Sequence, residues 1–149
     1  LHISRSMRQE MRKTKCSFRF NTDFAQVMKQ CANRPETWIT EDFFRAYGEL
    51  HLKGFAHSVE VYHDDVLVGG LYGVSIGAAF FAESMFHRKA NASKMALIKL
   101  VERLREKKFL LLECQFLTSH LESMGAVEIP RKEYLQRLAT ALKVSASFD

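Results

Sequence analysis

The sequence predicts an α+β protein, with mixed α/β layers on one central, mostly antiparallel sheet flanked by helices. Three observations predict it. Residues 57–62, 66–74 and 78–82 read as three short strands joined by tight turns, a β-meander. Asn91 then caps a long amphipathic helix with Leu97, Leu100, Val101 and Leu104 on its apolar face. Residues 109–113 follow as a nearly continuous apolar run, the pattern of a central strand buried on both faces. Helices on either side of such a sheet bury its two faces in layers.

The remaining elements follow in chain order. Ser4 can cap a helix over 4–15, with Ile3, Met7 and Met11 at i, i+4 and i+8 as one apolar stripe. Arg5, Arg8 and Arg12 fall on its other side. Residues 16–20 alternate and read as a strand. Phe24, Val27, Met28 and Cys31 make a second helical face, with Asn21 or Thr22 as its cap. Asn33, Arg34 and Pro35 end that helix. Thr40 opens a third, whose apolar face is Phe43, Ala46, Tyr47 and Leu50 and whose stop is Gly54. Residues 63–65 and 75–77 are turns, and Gly69-Gly70 marks a bulge or a close backbone approach. After the apolar run come a short helix over 118–124, a last strand over 126–129, and a helix with Leu135, Leu138, Ala139 and Leu142 on one face. A meander followed by helix and strand is the order of GNAT-type acyltransferase folds.

The chain has 149 residues, which predicts one domain over 1–149 with its basic helix at 4–15. No apolar run approaches the ~20 residues of a membrane span, so no membrane partner is expected. Three widely spaced cysteines, Cys16, Cys31 and Cys114, favour a reducing compartment and a cytoplasmic location. No Cys/His pair has zinc-site spacing, and no metal is expected. The net charge of +5 has one source. Residues 1–20 hold six basic side chains and one acidic, and the rest of the chain is balanced. Arg5, Arg8, Arg12 and Lys13 are therefore the candidate phosphate-binding residues, the alternative being a solvated basic face.

Two carboxylates stand at predicted strand ends, Glu83 and Glu113. Strand alternation puts Glu113 and Gln115 on one side of the sheet, where a carboxylate and an amide can orient an amine and polarise a carbonyl. A glutamate capping the next helix is the alternative. Trp38, Phe80, Phe81, Met85 and Phe86 form a dense apolar set, either a pocket for a bulky side chain or ordinary core. The segment from Arg88 to Ser93 stands where a GNAT-type acetyltransferase needs a Gly-rich turn for the cofactor pyrophosphate, and it has no glycine.

The sequence resembles the leucyl/phenylalanyl-tRNA–protein transferase family. The resemblance is carried by Leu1-His2-Ile3-Ser4-Arg5-Ser6-Met7, Thr37-Trp38-Ile39-Thr40, Ala56-His57-Ser58-Val59-Glu60, and Leu67-Val68-Gly69-Gly70 with Tyr72-Gly73-Val74. It continues through Glu83-Ser84-Met85-Phe86, Asn91-Ala92-Ser93-Lys94, Cys114-Gln115 and Gly125-Ala126 with Glu128-Ile129-Pro130-Arg131. It implies a GNAT-like fold without coenzyme A or any other cofactor. It also implies transfer of leucine or phenylalanine from aminoacyl-tRNA to an N-terminal arginine or lysine of acceptor proteins, marking them for N-degron proteolysis. The protein is expected to act as a monomer. By position in the family pattern, Glu113 and Gln115 are the expected catalytic pair. Trp38, Phe80, Glu83, Ser84 and Met85, with the helix residues Leu100 and Leu104, are expected to line the substrate site. Two positions depart from the pattern: the family usually has aspartate at Glu113 and glycine at Ala82. The family also carries a preceding domain that adds an aromatic wall to its amino-acid pocket, and the present sequence starts at the second. The alternative function is a weakened or inactive relative that binds tRNA or peptide.

Overall fold

The computed structural model describes residues 1–149. Its elements, in order, are α1 (Arg5–Lys13), β1 (Cys16–Phe20), α2 (Phe24–Ala32), α3 (Glu41–Leu52), β2 (Ala56–His63), β3 (Val66–Ile76), β4 (Ala79–His87), α4 (Ala92–Glu106), β5 (Leu111–Glu113), α5 (Ser119–Ser123) and α6 (Arg131–Leu142). The five strands lie in the order β1-β2-β3-β4-β5. The first three pairs are antiparallel, and β4 pairs with β5 in parallel.

Alternation along the inner strands sorts the core into two halves. Val59, Val61, Leu71 and Phe80 face α4, where Met95, Leu97, Ile98, Leu100 and Leu104 meet them together with Met7 of α1. Ala56, Tyr72 and Phe86 face the other way, onto Phe24, Val27, Met28 and Cys31 of α2, with Phe44, Tyr47 and Leu50 of α3 outside them. The sheet is thus the middle of three layers, as its period-2 pattern requires. Near the end of the chain, Phe148 closes the α4 face. It is buried, stacked on the His57 ring at 4.4 Å between centroids, and its carbonyl accepts from the Arg103 guanidinium at 2.9 Å.

Several expectations need correction. The run 109–113 is not central: β5 has three residues and forms the sheet edge, while β2 is the strand buried on both faces. Its apolar side chains line a cleft, and a single strand cannot tell a cleft wall from a sheet interior. Residues 126–129 form no strand, because that cleft separates them from β5. In α6 only Ala141 is buried, and Leu135 and Leu142 face solvent. In α3, Phe43 is exposed and Phe44 takes its place against the core. α2 begins with Asp23 as N-cap and no side-chain cap bond. Asn21 takes a left-handed turn instead (φ 56°) and uses its amide to hold β2, Oδ1 accepting from the Ser58 N–H at 3.0 Å. The free N–H of Thr22 is taken from across the sheet by the buried carboxylate of Glu60, at 3.4 Å.

The largest correction concerns β4. It does not stop at Ala82 but continues to His87. Gly73 pairs with Ala82 and Tyr72 with Ser84, so Glu83 is an extra residue with no partner, a β-bulge. Gly73 permits the close approach there: a Cβ on it would lie 2.3 Å from the Phe81 carbonyl oxygen and 2.5 Å from the Phe80 ring.

Candidate active site

The bulge sets the site. Ala82 and Met85 pack toward α4, yet between them Glu83 and Ser84 both reach the α2–α3 side. Without the extra residue, consecutive side chains would point to opposite faces. Ser84 Oγ accepts from Arg34 Nη2 at 3.0 Å, and the same guanidinium donates from Nε to the Cys31 carbonyl at 2.8 Å. Glu83 makes no ion pair. Its Oε2 accepts from Gln115 Nε2 at 3.0 Å.

Gln115 binds two carboxylates at once. Its side chain holds Glu83, and its backbone N–H donates to Glu113 Oε1 at 2.5 Å. It does so in a left-handed conformation, φ 62°, just past the end of β5. That conformation costs a non-glycine residue roughly 1–2 kcal/mol. The expected reason for Glu113 and Gln115 to share a side, strand alternation, does not apply, because β5 ends at Glu113. A turn brings them together instead.

Around Glu83 lie neutral groups. Burial, with the Glu83 carboxylate adding to it, pushes the Tyr47 phenol up to about 12. Burial also pushes the Cys31 thiol up to about 12 and raises Tyr72 further still. All three keep their protons at neutral pH. Tyr72 is wholly buried, and its hydroxyl has no hydrogen-bond partner. A ladder of rings runs outward from it, edge-on to Tyr47 at 5.6 Å, then Phe43 stacked on Tyr47 at 5.9 Å, and Trp38 edge-on to Phe43 at 5.1 Å.

Beyond Glu113 opens a cleft of about 860 Å³ between β5, α4, α5, α6 and the segment 125–129. Leu97, Val101, Leu111, Leu112, Leu121 and Met124 make its walls, and Glu113, Gln115, Arg131 and Arg137 stand on its polar side. The sequence reading missed this cleft. Its signal in the sequence was the apolar pair Phe116-Leu117, which resumes directly after the polar Glu113 and Gln115.

The predicted pocket residues do not meet in one place. Phe80, Leu100 and Leu104 are sealed in the core on the α4 face, and Phe148 packs on Phe80 at 5.6 Å. Met85 is half-buried against the same core. Trp38 stands 45% exposed on the other side of the sheet. These residues are all apolar, and composition does not say which face of a bulged strand each will take. Arg5, Arg8, Arg12 and Lys13 are exposed along α1, opposite the buried Met7. Between β4 and α4, the N–H groups of Arg88 and Lys89 both donate to the Val68 carbonyl, and that of Ala92 donates to Lys89. Three of the backbone donors at the place of a pyrophosphate cradle are thus already taken by protein carbonyls. No group of three or more His, Cys, Asp or Glu side chains could hold a metal ion.

This architecture is that of the GNAT acyltransferases. The chain superposes on a ribosomal-protein-alanine N-acetyltransferase from Brucella melitensis with a TM-score of 0.59 at 15% identity, covering 78% of this chain and 94% of that one. It superposes on a predicted acetyltransferase from Clostridium acetobutylicum with a TM-score of 0.60 at 10% identity, covering 78% and 92%. At these identities the likeness is one of fold. The sequence places it more closely: the chain belongs to the leucyl/phenylalanyl-tRNA–protein transferase family, whose model matches residues 1–139. It is 51% identical to the leucyl/phenylalanyl-tRNA–protein transferase of Rubrobacter xylanophilus over 149 residues, 99% of this chain and 78% of that protein. It is 52% identical to that of Roseobacter denitrificans over 147 residues, 99% of this chain and 70% of that protein. No helix is long and apolar enough to cross a membrane.

Proposed function

We propose that this protein transfers leucine or phenylalanine from aminoacyl-tRNA to the α-amine of acceptor proteins that begin with arginine or lysine, marking them for N-degron proteolysis. The observation that carries the reading is the polar trio Glu83–Gln115–Glu113 beside an apolar cleft, in a chain of this family. A cleft of about 860 Å³ is within the usual range for a small-molecule site and accepts a large apolar side chain together with part of a terminal nucleoside.

The chemistry asks little more than orientation. The amine nitrogen attacks the ester carbonyl carbon, a C–N bond forms, and the C–O bond to the ribose hydroxyl breaks. The amine loses a proton and the leaving ribose oxygen gains one. Free α-amines have pKa values of about 7.7–8.0, so a useful fraction is already neutral near pH 7.5. Glu113 accepts the amine hydrogen and passes the proton to the ribose oxygen. Gln115 fixes Glu113 through its backbone N–H and Glu83 through its side chain. Glu83, with no ion pair of its own, faces the cationic side chain of the acceptor. The exposed arginines of α1 hold tRNA phosphates.

The test is transfer of labelled leucine from Leu-tRNA to an Arg-starting peptide, with tRNA binding measured beside it. Glu113→Ala and Gln115→Ala should lower kcat by about 10²–10⁴ and leave tRNA affinity nearly unchanged. If Glu113→Ala transfers as fast as the parent, Glu113 is not the orienting group. If the folded parent binds tRNA but transfers nothing even with the family's preceding domain supplied, the chain is a binding relative.

A further inference from the structure

Three lysines, two flanking the end of α1 and one from the loop before α4, meet in one depression where they outnumber its single carboxylate, Glu10. The depression, about 460 Å³, lies between α1, the end of β2 and the loop before α4, and none of its lining residues is hydrophobic. Lys13 enters from the last turn of α1, Lys15 from the residue before β1, and Lys89 from the loop. Of the protein's six ion pairs, five form elsewhere and one is His63–Asp64 at the rim; these three ammonium groups make none. The acidic group in the lining is Glu10, and its carboxylate is tied to Asn91 Nδ2 at 2.7 Å. The remaining titratable group, His63, has its Nδ1 3.0 Å from Asp64. Ser6, Gln9 and Thr14 add neutral polar groups.

Lys13 alone has a local explanation, since cations favour the C-terminal turn of a helix. Lys15 and Lys89 have none. Lys15 lies beyond the helix, and Lys89 is more than seventy residues away in sequence. Folding therefore places like charges together in a concave, wholly polar site. Such an arrangement raises the local concentration of anions and suits a compact one with several acceptor oxygens.

We propose that Lys13, Lys15 and Lys89 form a seat for a single phosphodiester of the RNA backbone. The proposal rests on the RNA-substrate reading given above and extends it from the basic face of α1, through Lys13, to Lys15 and Lys89. A phosphate bound there would join α1 to the loop leading into α4, the helix that also supplies Leu97 and Val101 to the cleft.

The experiment measures the affinity of uncharged tRNA across a salt series for the parent, Lys15→Gln, Lys89→Gln and the double variant. All three side chains are exposed, so melting temperatures should not change. Each phosphate neutralised contributes about 0.7–0.9 to the log–log salt slope, so with one phosphate in the seat the double variant should flatten it by about 0.7–0.9. A Lys15→Arg, Lys89→Arg variant should keep the parental slope. Inorganic phosphate replacing chloride at constant ionic strength should weaken tRNA binding by the parent more than by the double variant. An unchanged slope in the double variant overturns the seat. If Arg5→Ala, Arg8→Ala and Arg12→Ala together still flatten the slope, the RNA reading stands without it. Poly-glutamate displacing tRNA from the parent more effectively than phosphate does would also overturn the seat, in favour of an acidic peptide. A parent that binds no tRNA at any salt overturns both.

Discussion

Replacing Tyr72 by phenylalanine should make this protein more stable. Tyr72 lies at full burial with its ring edge-on to Phe24 at 5.9 Å and to Tyr47 at 5.6 Å. Phenylalanine keeps both contacts. What it removes is a hydroxyl with no hydrogen-bond partner. Leaving such a group buried costs about 1–3 kcal/mol, and that is the expected gain. At this chain length 1 kcal/mol corresponds to about 2–4 °C, so the melting temperature should rise by roughly 2–12 °C. Burial raises the Tyr72 phenol well above its ordinary value, so the group stays neutral and the gain should be equal at pH 6 and pH 9. Thermal melts followed by circular dichroism would measure it. A urea series with unchanged slope would show that the denatured state is not the cause. A fall in melting temperature would refute the reasoning, because it would mean that the hydroxyl is hydrogen-bonded in the folded protein.

Two further outcomes are expected. Gly73→Ala places a methyl 2.3 Å from the Phe81 carbonyl, so overpacking should cost about 1–3 kcal/mol in urea denaturation. Because the strain falls opposite the bulge, transfer should drop further than stability alone explains, and parental activity in the folded variant would contradict the bulge as the device that sets Glu83. His57 is buried, and that burial holds its pKa below the ordinary 6.5, with Asp149 pulling weakly the other way. As the pH falls, the unfolded chain therefore takes up the proton first. The stability from neutral His57 is full above pH 6.5 and is lost as the pH drops through and below it, with a slope of at most about 1.4 kcal/mol per pH unit. Burial shifts His120 in the same direction. Denaturation midpoints from pH 7.5 to 5 should show a shallower loss in His57→Gln than in the parent, and parallel curves would remove His57 from the account.

The meander, the three helices before it, α4 and the family resemblance were all legible in the sequence. Each depends on local pattern: a two-residue period in β2 and β3, a 3.6-residue period in α2 and α4, and turn residues between them. The basic face of α1 was legible for the same reason. The candidate site was legible as residue types, Glu83, Glu113 and Gln115, but its geometry was not. Strand alternation predicted that Glu113 and Gln115 would share a side, and they meet through a left-handed turn. The grouping of Trp38 with Phe80, Leu100 and Leu104 followed from their apolar character. The sheet separates Trp38 from the other three.

The sequence by itself determined most of the helices and strands (though not the absence of a strand at 126–129 or the length of β4), where the excess charge lies, and to which family the chain belongs, because these follow from local periodicity, composition and matched motifs. Only the tertiary structure decided that β4 carries a one-residue bulge at Glu83. It alone made β5 an edge beside a cleft, and it alone brought Lys13, Lys15 and Lys89 together. Each of these is a pairing between residues far apart in the chain. A strand's register is fixed by its neighbour, and an apolar run reads the same whether it faces a core or a cleft.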